Sequence, residues 1–348
     1  MLRCVPYTTE LQMAWDQLAA EKGSVFHSMA FRQILTGAFG YRCAYHALVD
    51  ETGGIQALLP LVIGRTLTGQ KAGASLPFIN HLDICAYDDD ARRQGLASLL
   101  ELQKQYGLAY LELRFKEQRP PVAAGTRVLT HNFTFELSLA GTEEELLALS
   151  TGSNRNHVRK VYRNQWFRVS FERQHLPAFY QVYCRRMREL GSPAPHRRFF
   201  ELFFQLLPEN AHLLTVLDNA TAQVVGGMLL VTSPSDGTLY YPYGANLVAY
   251  NHQYLNNFMY WEAVRFGRRQ GLRRLDLGRS QLDSGTYRYK AQWGAMPKPL
   301  HYWLYDGGAG DASPPDKEKL RLLIELWKAM PQAVTDWVGP RLISHLLP

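Results

Sequence analysis

Lys290 sits among aromatic residues in DLGRSQLDSGTYRYKAQWG (276–294). An amine held in such surroundings can polarise a carbonyl or stabilise an oxyanion. The stretch reads as a strand ending at Gly278-Arg279-Ser280, a polar turn, and a short helix capped by Ser284. At 100° per residue Tyr287, Lys290, Ala291 and Gly294 share one face, with Trp293 at its edge and Arg288 and Gln292 opposite. Lys290 is therefore expected on the inner face. The alternative is a snorkelling lysine, its stem packed on Tyr and Trp and its amine in water. Arg279, Lys290 and the helix N-terminus together suit a phosphate or a developing oxyanion.

Chemistry at a carbonyl also calls for a proton acceptor. Asp276, two residues inside the strand, is one candidate. Glu262 is another, surrounded on one helical face by Leu255, Phe258, Met259 and Phe266. A carboxylate there calls for a raised pKa or a cation; Lys290 is the candidate cation, and a plain buried ion pair is the alternative. His252 and His301 are further candidates, although a lone histidine at a helix start or on a strand is more often structural. Tyr241 and Tyr243 in GTLYYPYGA (237–245), with Ser280, Tyr287 and Tyr289, are expected to line a pocket. Ordinary sheet packing explains such tyrosines equally well.

In NRNHVRKVYRN (154–164), Arg155, Arg159 and Arg163 recur every four residues beside Lys160. Such a stripe suits tRNA or a diphosphate-linked sugar, against the alternative of a solvated face; no aromatic platform is interleaved in the segment. Arg188, before the turn Gly191-Ser192-Pro193, is a second phosphate candidate or a partner for Glu189.

The elements that must position these groups follow from composition and pattern. A chain of 348 residues, 46% hydrophobic and 20% charged, suggests two ordinary globular domains. The net charge of +7 and pI near 9.2 favour anionic partners. Cys4, Cys43, Cys85 and Cys184 are scattered without a C-x-x-C pair, which points to reduced thiols in a cytoplasmic protein and to no zinc site. The first residues hold no signal-peptide core, and ALLPLVIG (57–64) is too short to span a membrane. No Walker A, H-E-x-x-H, G-x-S-x-G or kinase signature occurs.

Hairpins are expected at Glu51–Gly54 and around Asn219, helices over 88–107 and 251–271, and strands at AYLELRF (109–115) and LRRLDLG (272–278). TEEELLALSTGSNRNHVRKVYRN (142–164) reads as one helix or two short ones. GLAYLELR (107–114) aligns with GLRRLDLG (271–278), placing Glu112 opposite Asp276, 164 residues apart (276 − 112). One α/β unit, mostly antiparallel, is therefore expected twice. Hairpin connections and the lack of G-x-G-x-x-G between strand and helix disfavour a dinucleotide-binding fold.

DLGRSQLDSGTYRYKAQWGAMPKPLHYWLY (276–305) resembles the C-terminal signature of FemAB-like proteins, tandem acyltransferases of the GNAT superfamily, including those found near exopolysaccharide and exosortase clusters. Residues 59–78, 110–114, 154–164, 183–193 and 327–342 resemble the same family in the same order. The resemblance implies two GNAT-like domains, 1–165 and 166–306, with a linker and C-terminal helical tail over 307–348. It implies transfer of an acyl or aminoacyl group to an amine on a cell-envelope, peptidoglycan or polysaccharide precursor. Fem ligases draw on aminoacyl-tRNA, and the aromatic–lysine pair matching Tyr289-Lys290 is thought to face the donor end. The expected protein carries no tightly bound cofactor, uses acyl-CoA or aminoacyl-tRNA as donor, and takes a phosphate-bearing or lipid-linked acceptor. tRNA is a further candidate partner. No DNA binding is expected, and membrane contact is at most peripheral, at the inner face. A degenerate fold that only binds its ligand is the non-enzymatic alternative. The chain departs from the GNAT pattern at GANLVAYNHQYLN (244–256), where a pyrophosphate loop would carry a second glycine.

Overall fold

The computed structural model describes residues 2–66, 69–117, 124–307 and 321–343; most of the Gly-rich stretch after Gly307 lies outside them. In the first half, β1 (Arg3–Pro6), α1 (Gln12–Lys22), α2 (Met29–Phe39) and β2 (Arg42–Cys43) lead into the hairpin of β3 (His46–Val49) and β4 (Ile55–Leu59). Ser28 caps α2 as expected, accepting the Phe31 N–H. At the hairpin turn the Asp50 carboxylate accepts from the N–H groups of Thr52 and Gly54, and Gly53 adopts φ +87°. Next come β5 (Val62–Arg65), β6 (Lys71–Ala74), β7 (Cys85–Ala86), α3 (Asp89–Gln105), β8 (Tyr110–Phe115) and β9 (Thr126–Ser138). The 142–164 segment forms two helices, α4 (Glu143–Leu149) and α5 (Gly152–Asn164), capped by Thr142 and Thr151.

The second half runs β10 (Phe167–Ser170), α6 (Leu176–Leu190), α7 (Arg197–Leu206), β11 (Ala211–Asp218), β12 (Val224–Ser233) and β13 (Thr238–Asn246). It continues with α8 (Leu255–Arg269), β14 (Arg274–Asp276), β15 (Ser280–Gln281), α9 (Gly285–Ala291) and β16 (Met296–Tyr305). Helices α10 (Arg321–Ala329) and α11 (Gln332–Leu342) pack back on α6.

The duplication is visible in strand register. Each half contains a parallel pair: β6 with β8, ending at Ala74↔Glu112, and β13 with β14, ending at Tyr240↔Asp276. Glu112 and Asp276 thus hold the same place in the two units, as the aligned octapeptides required. Between the units the strands are exchanged. β9 pairs with β14 of the second half, β16 pairs with β8 of the first, and β9 and β16 pair with each other over most of their length. The result is one path of eleven strands, with β15 attached to β9. No strand was expected at β9. Its alternation is interrupted by Thr130-His131-Asn132, and much of its first half is exposed.

A second join is apolar. α2 packs on α7, with Phe31 edge-on to Phe203 and Phe39 tilted against Phe199 at 5.1 Å. One buried cluster thereby contains Trp15 and Phe31 from the first half and Phe199, Phe203 and Tyr240 from the second. Burying large aromatics of this kind contributes roughly 1.5–3 kcal/mol per side chain.

Candidate functional site

The parallel pairing of β13 and β14 stops at Tyr240↔Asp276. Beyond it β13 continues against β12, whereas the other chain turns away towards β9, where the Leu277 N–H reaches the Phe135 carbonyl at 2.8 Å. The two strands splay apart at the centre of the sheet. Gly278 makes the turn at φ +76°, a conformation that costs glycine little.

Lys290 closes this turn from α9. Its Nζ donates to the carbonyls of Gly278 at 2.9 Å and Arg279 at 3.0 Å, and it lies 5.9 Å from the Phe135 ring centroid. At 6% exposure it is not a snorkelling lysine. Burial pushes its pKa down to about 8, with Asp276 opposing and the Arg279 charge adding to the fall. Its helical face is narrower than expected. Lys290 and Trp293 are buried and Tyr287 half-buried against Phe133 and Phe135, but Ala291 and Gly294 are exposed. The N-terminus of this seven-residue helix is capped by Ser284, as expected, which takes the Tyr287 N–H at 3.1 Å.

An aromatic wall faces the splay. Tyr260 of α8 stacks on Trp293 and meets Tyr241 and Tyr289 edge-on at 5.9 and 5.3 Å. The Tyr289 hydroxyl, the Trp293 indole N–H and the Ser280 hydroxyl are buried and make no hydrogen bond of proper geometry. Burial raises the Tyr289 pKa, so the phenol stays protonated. The Trp293 indole N–H and the Tyr289 hydroxyl interact weakly with each other, and the Ser280 hydroxyl carries a desolvation cost that a polar ligand would relieve. Arg279 is exposed and reaches Tyr302 of β16 at 3.3 Å, while the Tyr302 hydroxyl donates to the Asn80 carbonyl of the first half.

Asp276 faces the junction of the halves. One carboxylate oxygen takes the Thr134 hydroxyl at 2.6 Å and the Gly278 N–H at 2.7 Å; the other takes His81 Nε2 at 3.1 Å. Burial alone would raise its pKa, but His81, Thr134 and the Gly278 N–H together hold it below the usual carboxylate value. His81, in the loop between β6 and β7, is a functional candidate that the sequence did not disclose. It stands in no motif of its own, and its contact with Asp276 spans 195 residues. His81 lines a small hollow with Tyr241, Pro242 and Asp276, and also a cavity of about 650 Å³.

Other expected residues lie elsewhere. Glu262 has its cation, but this is Arg265 at 2.9 Å and not Lys290; it also accepts the Tyr162 hydroxyl, tying α8 to α5. The i,i+3 position places Arg265 on the same helical face, whereas Lys290 is held by the turn. Tyr243 bonds the Phe78 carbonyl at 2.9 Å and packs on Phe199 and Phe200, joining the halves outside the splay. The Arg188 guanidinium donates to the Met330 carbonyl at 3.0 Å and fastens the end of α10. Arg155 closes the end of α4 through the carbonyls of Ala148 and Ser150. Arg159, Lys160 and Arg163 are exposed, and aromatics absent from their own segment reach Lys160: Tyr254 at 5.3 Å and Trp166 at 5.9 Å. His252 is exposed and bonded to the Ala249 carbonyl, and His301 sits opposite Phe115 in β16. The 244–256 departure forms a 3-10 turn, Val248–Gln253, leading into α8. Among the described residues no cluster of His, Cys, Asp and Glu is placed to hold a metal ion, and no helix is long and apolar enough to cross a membrane.

Residues 152–291 match the family model described as Acetyltransferase (GNAT) domain. No curated protein matches the chain by sequence. Among solved structures, FemX covers 92% of this chain and 100% of its own at TM-score 0.64 and 13% identity. L-PGS from Bacillus licheniformis covers 91% and 97% at TM-score 0.57 and 13% identity. A tandem GNAT protein from the clavulanic acid biosynthesis pathway, solved without AcCoA, covers 89% and 100% at TM-score 0.57 and 12% identity. The matched domain coincides with the unit bearing the splay, Lys290 and Asp276, and the end-to-end likenesses include the second copy. Residues 152–291 thus carry the sequence pattern of a GNAT acetyltransferase domain, and the end-to-end likenesses show that the whole chain has the tandem GNAT fold.

Proposed function

We propose that the protein transfers an aminoacyl group to an amine on a phosphate-bearing cell-envelope or polysaccharide precursor. The buried Lys290 amine at the splay carries this reading. A lysine ammonium has three N–H donors, and two are committed to the carbonyls of Gly278 and Arg279. The third is available to the oxygen of an acyl group lying between β13 and the turn, where charge develops as the amine attacks. With its pKa near 8 the amine remains mostly protonated at neutral pH. The Ser280 hydroxyl is an unsatisfied donor for the rest of the acyl group, with the Tyr289 hydroxyl and the Trp293 N–H, only weakly paired with each other, beside it.

The donor is inferred from the segment before α8. A CoA pyrophosphate needs close main-chain amides, whereas here Val248–Gln253 folds into a 3-10 turn without glycine. An aminoacyl ester makes no such demand. Exposed Arg159, Lys160 and Arg163, with Tyr254 and Trp166 beside them, offer phosphate contacts and a stacking surface for tRNA. The resemblance to Fem ligases and the fold shared with FemX support the same donor. Acetyl-CoA is the second reading. It is favoured by the acetyltransferase character of the matched family.

The test supplies pooled aminoacyl-tRNA or acetyl-CoA to the purified protein, with UDP-linked muropeptide as amine acceptor, and follows donor consumption. Aminoacyl-tRNA is expected to be consumed, and Lys290→Met is expected to transfer more than tenfold more slowly, a loss of about 2–3 kcal/mol of transition-state stabilisation. Rapid turnover of acetyl-CoA alone, or an unimpaired and folded Lys290→Met protein, refutes the reading.

A further inference from the structure

We propose that His81 is the base that takes the proton of the acceptor amine, with Asp276 positioning it, and that the junction cavity holds the acceptor. This rests on the acyl-transfer reading above. The geometry comes from four separate segments. Asp276 ends β14, Thr134 lies in β9, Gly278 makes the turn, and His81 comes from the first-half loop. Three hydrogen bonds from these groups fix the carboxylate in orientation and as an anion.

In this proposal the neutral ring donates from Nε2 to the carboxylate and keeps its lone pair on Nδ1. Nδ1 makes no hydrogen bond among the described residues, and the ring stands between the 650 Å³ cavity and the hollow beside the splay. His81 and Tyr240 line both spaces. Gly278 connects this base to the oxyanion donor, because its N–H bonds Asp276 and its carbonyl accepts from Lys290. The cavity wall carries both signs, Asp83 and Asp236 with Lys116 and Arg274. It therefore suits an amine carried on a charged, polar molecule and not an apolar chain.

The step balances without a co-reactant. The amine lone pair attacks the acyl carbon, the N–C bond forms, and the carbonyl π pair moves to the oxygen held by Lys290. His81 Nδ1 takes the proton from the attacking nitrogen. Collapse breaks the bond from acyl carbon to the donor's oxygen or sulfur. The leaving group then takes the proton from His81, which returns neutral while Asp276 stays ionised throughout.

His81→Gln keeps a donor for Asp276 but accepts no proton. In the donor-consumption assay above, its maximal rate is expected to fall about 100-fold with the donor KM within about twofold. His81→Ala is expected to regain about tenfold of its loss on addition of free imidazole, a recovery that a merely structural role does not produce. Nitrogen-15 spectra of the histidines should report the Nε2–H tautomer for His81. A His81→Gln rate within about threefold of wild type, an imidazole-insensitive His81→Ala, or an Nδ1–H tautomer overturns the base assignment alone. A wild type that consumes neither donor overturns the transfer reading and the base with it.

Discussion

A lysine that would ordinarily be solvated is buried at Lys290 because main-chain carbonyls replace its water. Two carbonyls of one turn receive the amine, and the helix that carries it is only seven residues long. Its lowered pKa has a direct stability consequence. Below pH 8 folded and unfolded chains are both protonated at this position, and the cost of burying the charge is present in full. Between about pH 8 and 10.5 the unfolded chain holds the proton that the folded chain has released, so stability rises with pH across that window. Lys290→Met lacks this gain. Urea unfolding at pH 7 and pH 10 should therefore show the difference between the two proteins moving in favour of wild type, by on the order of 3 kcal/mol at most. An unchanged difference would mean that the amine is not buried as a cation. Glu262 illustrates the opposite case, in which a correct expectation of burial and a cation went with the wrong partner. Arg265, one turn along its own helix, is closer than any residue of the distant motif.

At the scale of elements, the C-terminal helices are held by a few specific contacts on α6. The α6 helix ends at Gly191 with φ +76°, and a Cβ there would stand 2.4 Å from Ile324 Cγ2 of α10. Gly191→Ala combines left-handed strain with this clash and should destabilise by roughly 2–4 kcal/mol in denaturant titration. Adding Ile324→Ala should recover the steric share and leave the backbone share. If the double variant is no more stable than Gly191→Ala, α10 does not rest on α6 as described. Arg188 belongs to the same attachment through the Met330 carbonyl. A guanidinium near a glycine turn looks like an anion site in sequence, and only the return of a helix more than a hundred residues later gives it a different partner.

The whole molecule is organised by exchange. β9 completes the second sheet and β16 the first, so neither half contains all the strands it pairs with. Fragments 1–165 and 166–348 expressed separately should be largely unfolded, with the first exposing the β8 edge that β16 covers. Co-expressed, they should associate and recover the near-ultraviolet dichroism of the intact chain. A stable, cooperative fold of either fragment alone would overturn this account of the join. The exchange also explains the site. It brings Thr134 of β9 and the first-half loop to Asp276, making the candidate site a product of both units.

The sequence by itself determined the local and repetitive features. Hairpin turns, the Ser28 cap, the buried face of Lys290 and the register shared by Glu112 and Asp276 all follow from periodicity, cap chemistry and duplicated pattern. Those rules act over a few residues, or compare one segment with its copy. Tertiary structure decided what lies across large separations. It placed His81 on Asp276, Arg265 on Glu262, Met330 on Arg188, and Tyr254 and Trp166 beside Lys160. It also decided the exchange of β9 and β16. The physical reason is that hydrogen-bond and charge partners are chosen by proximity in the folded chain, which no local spacing encodes.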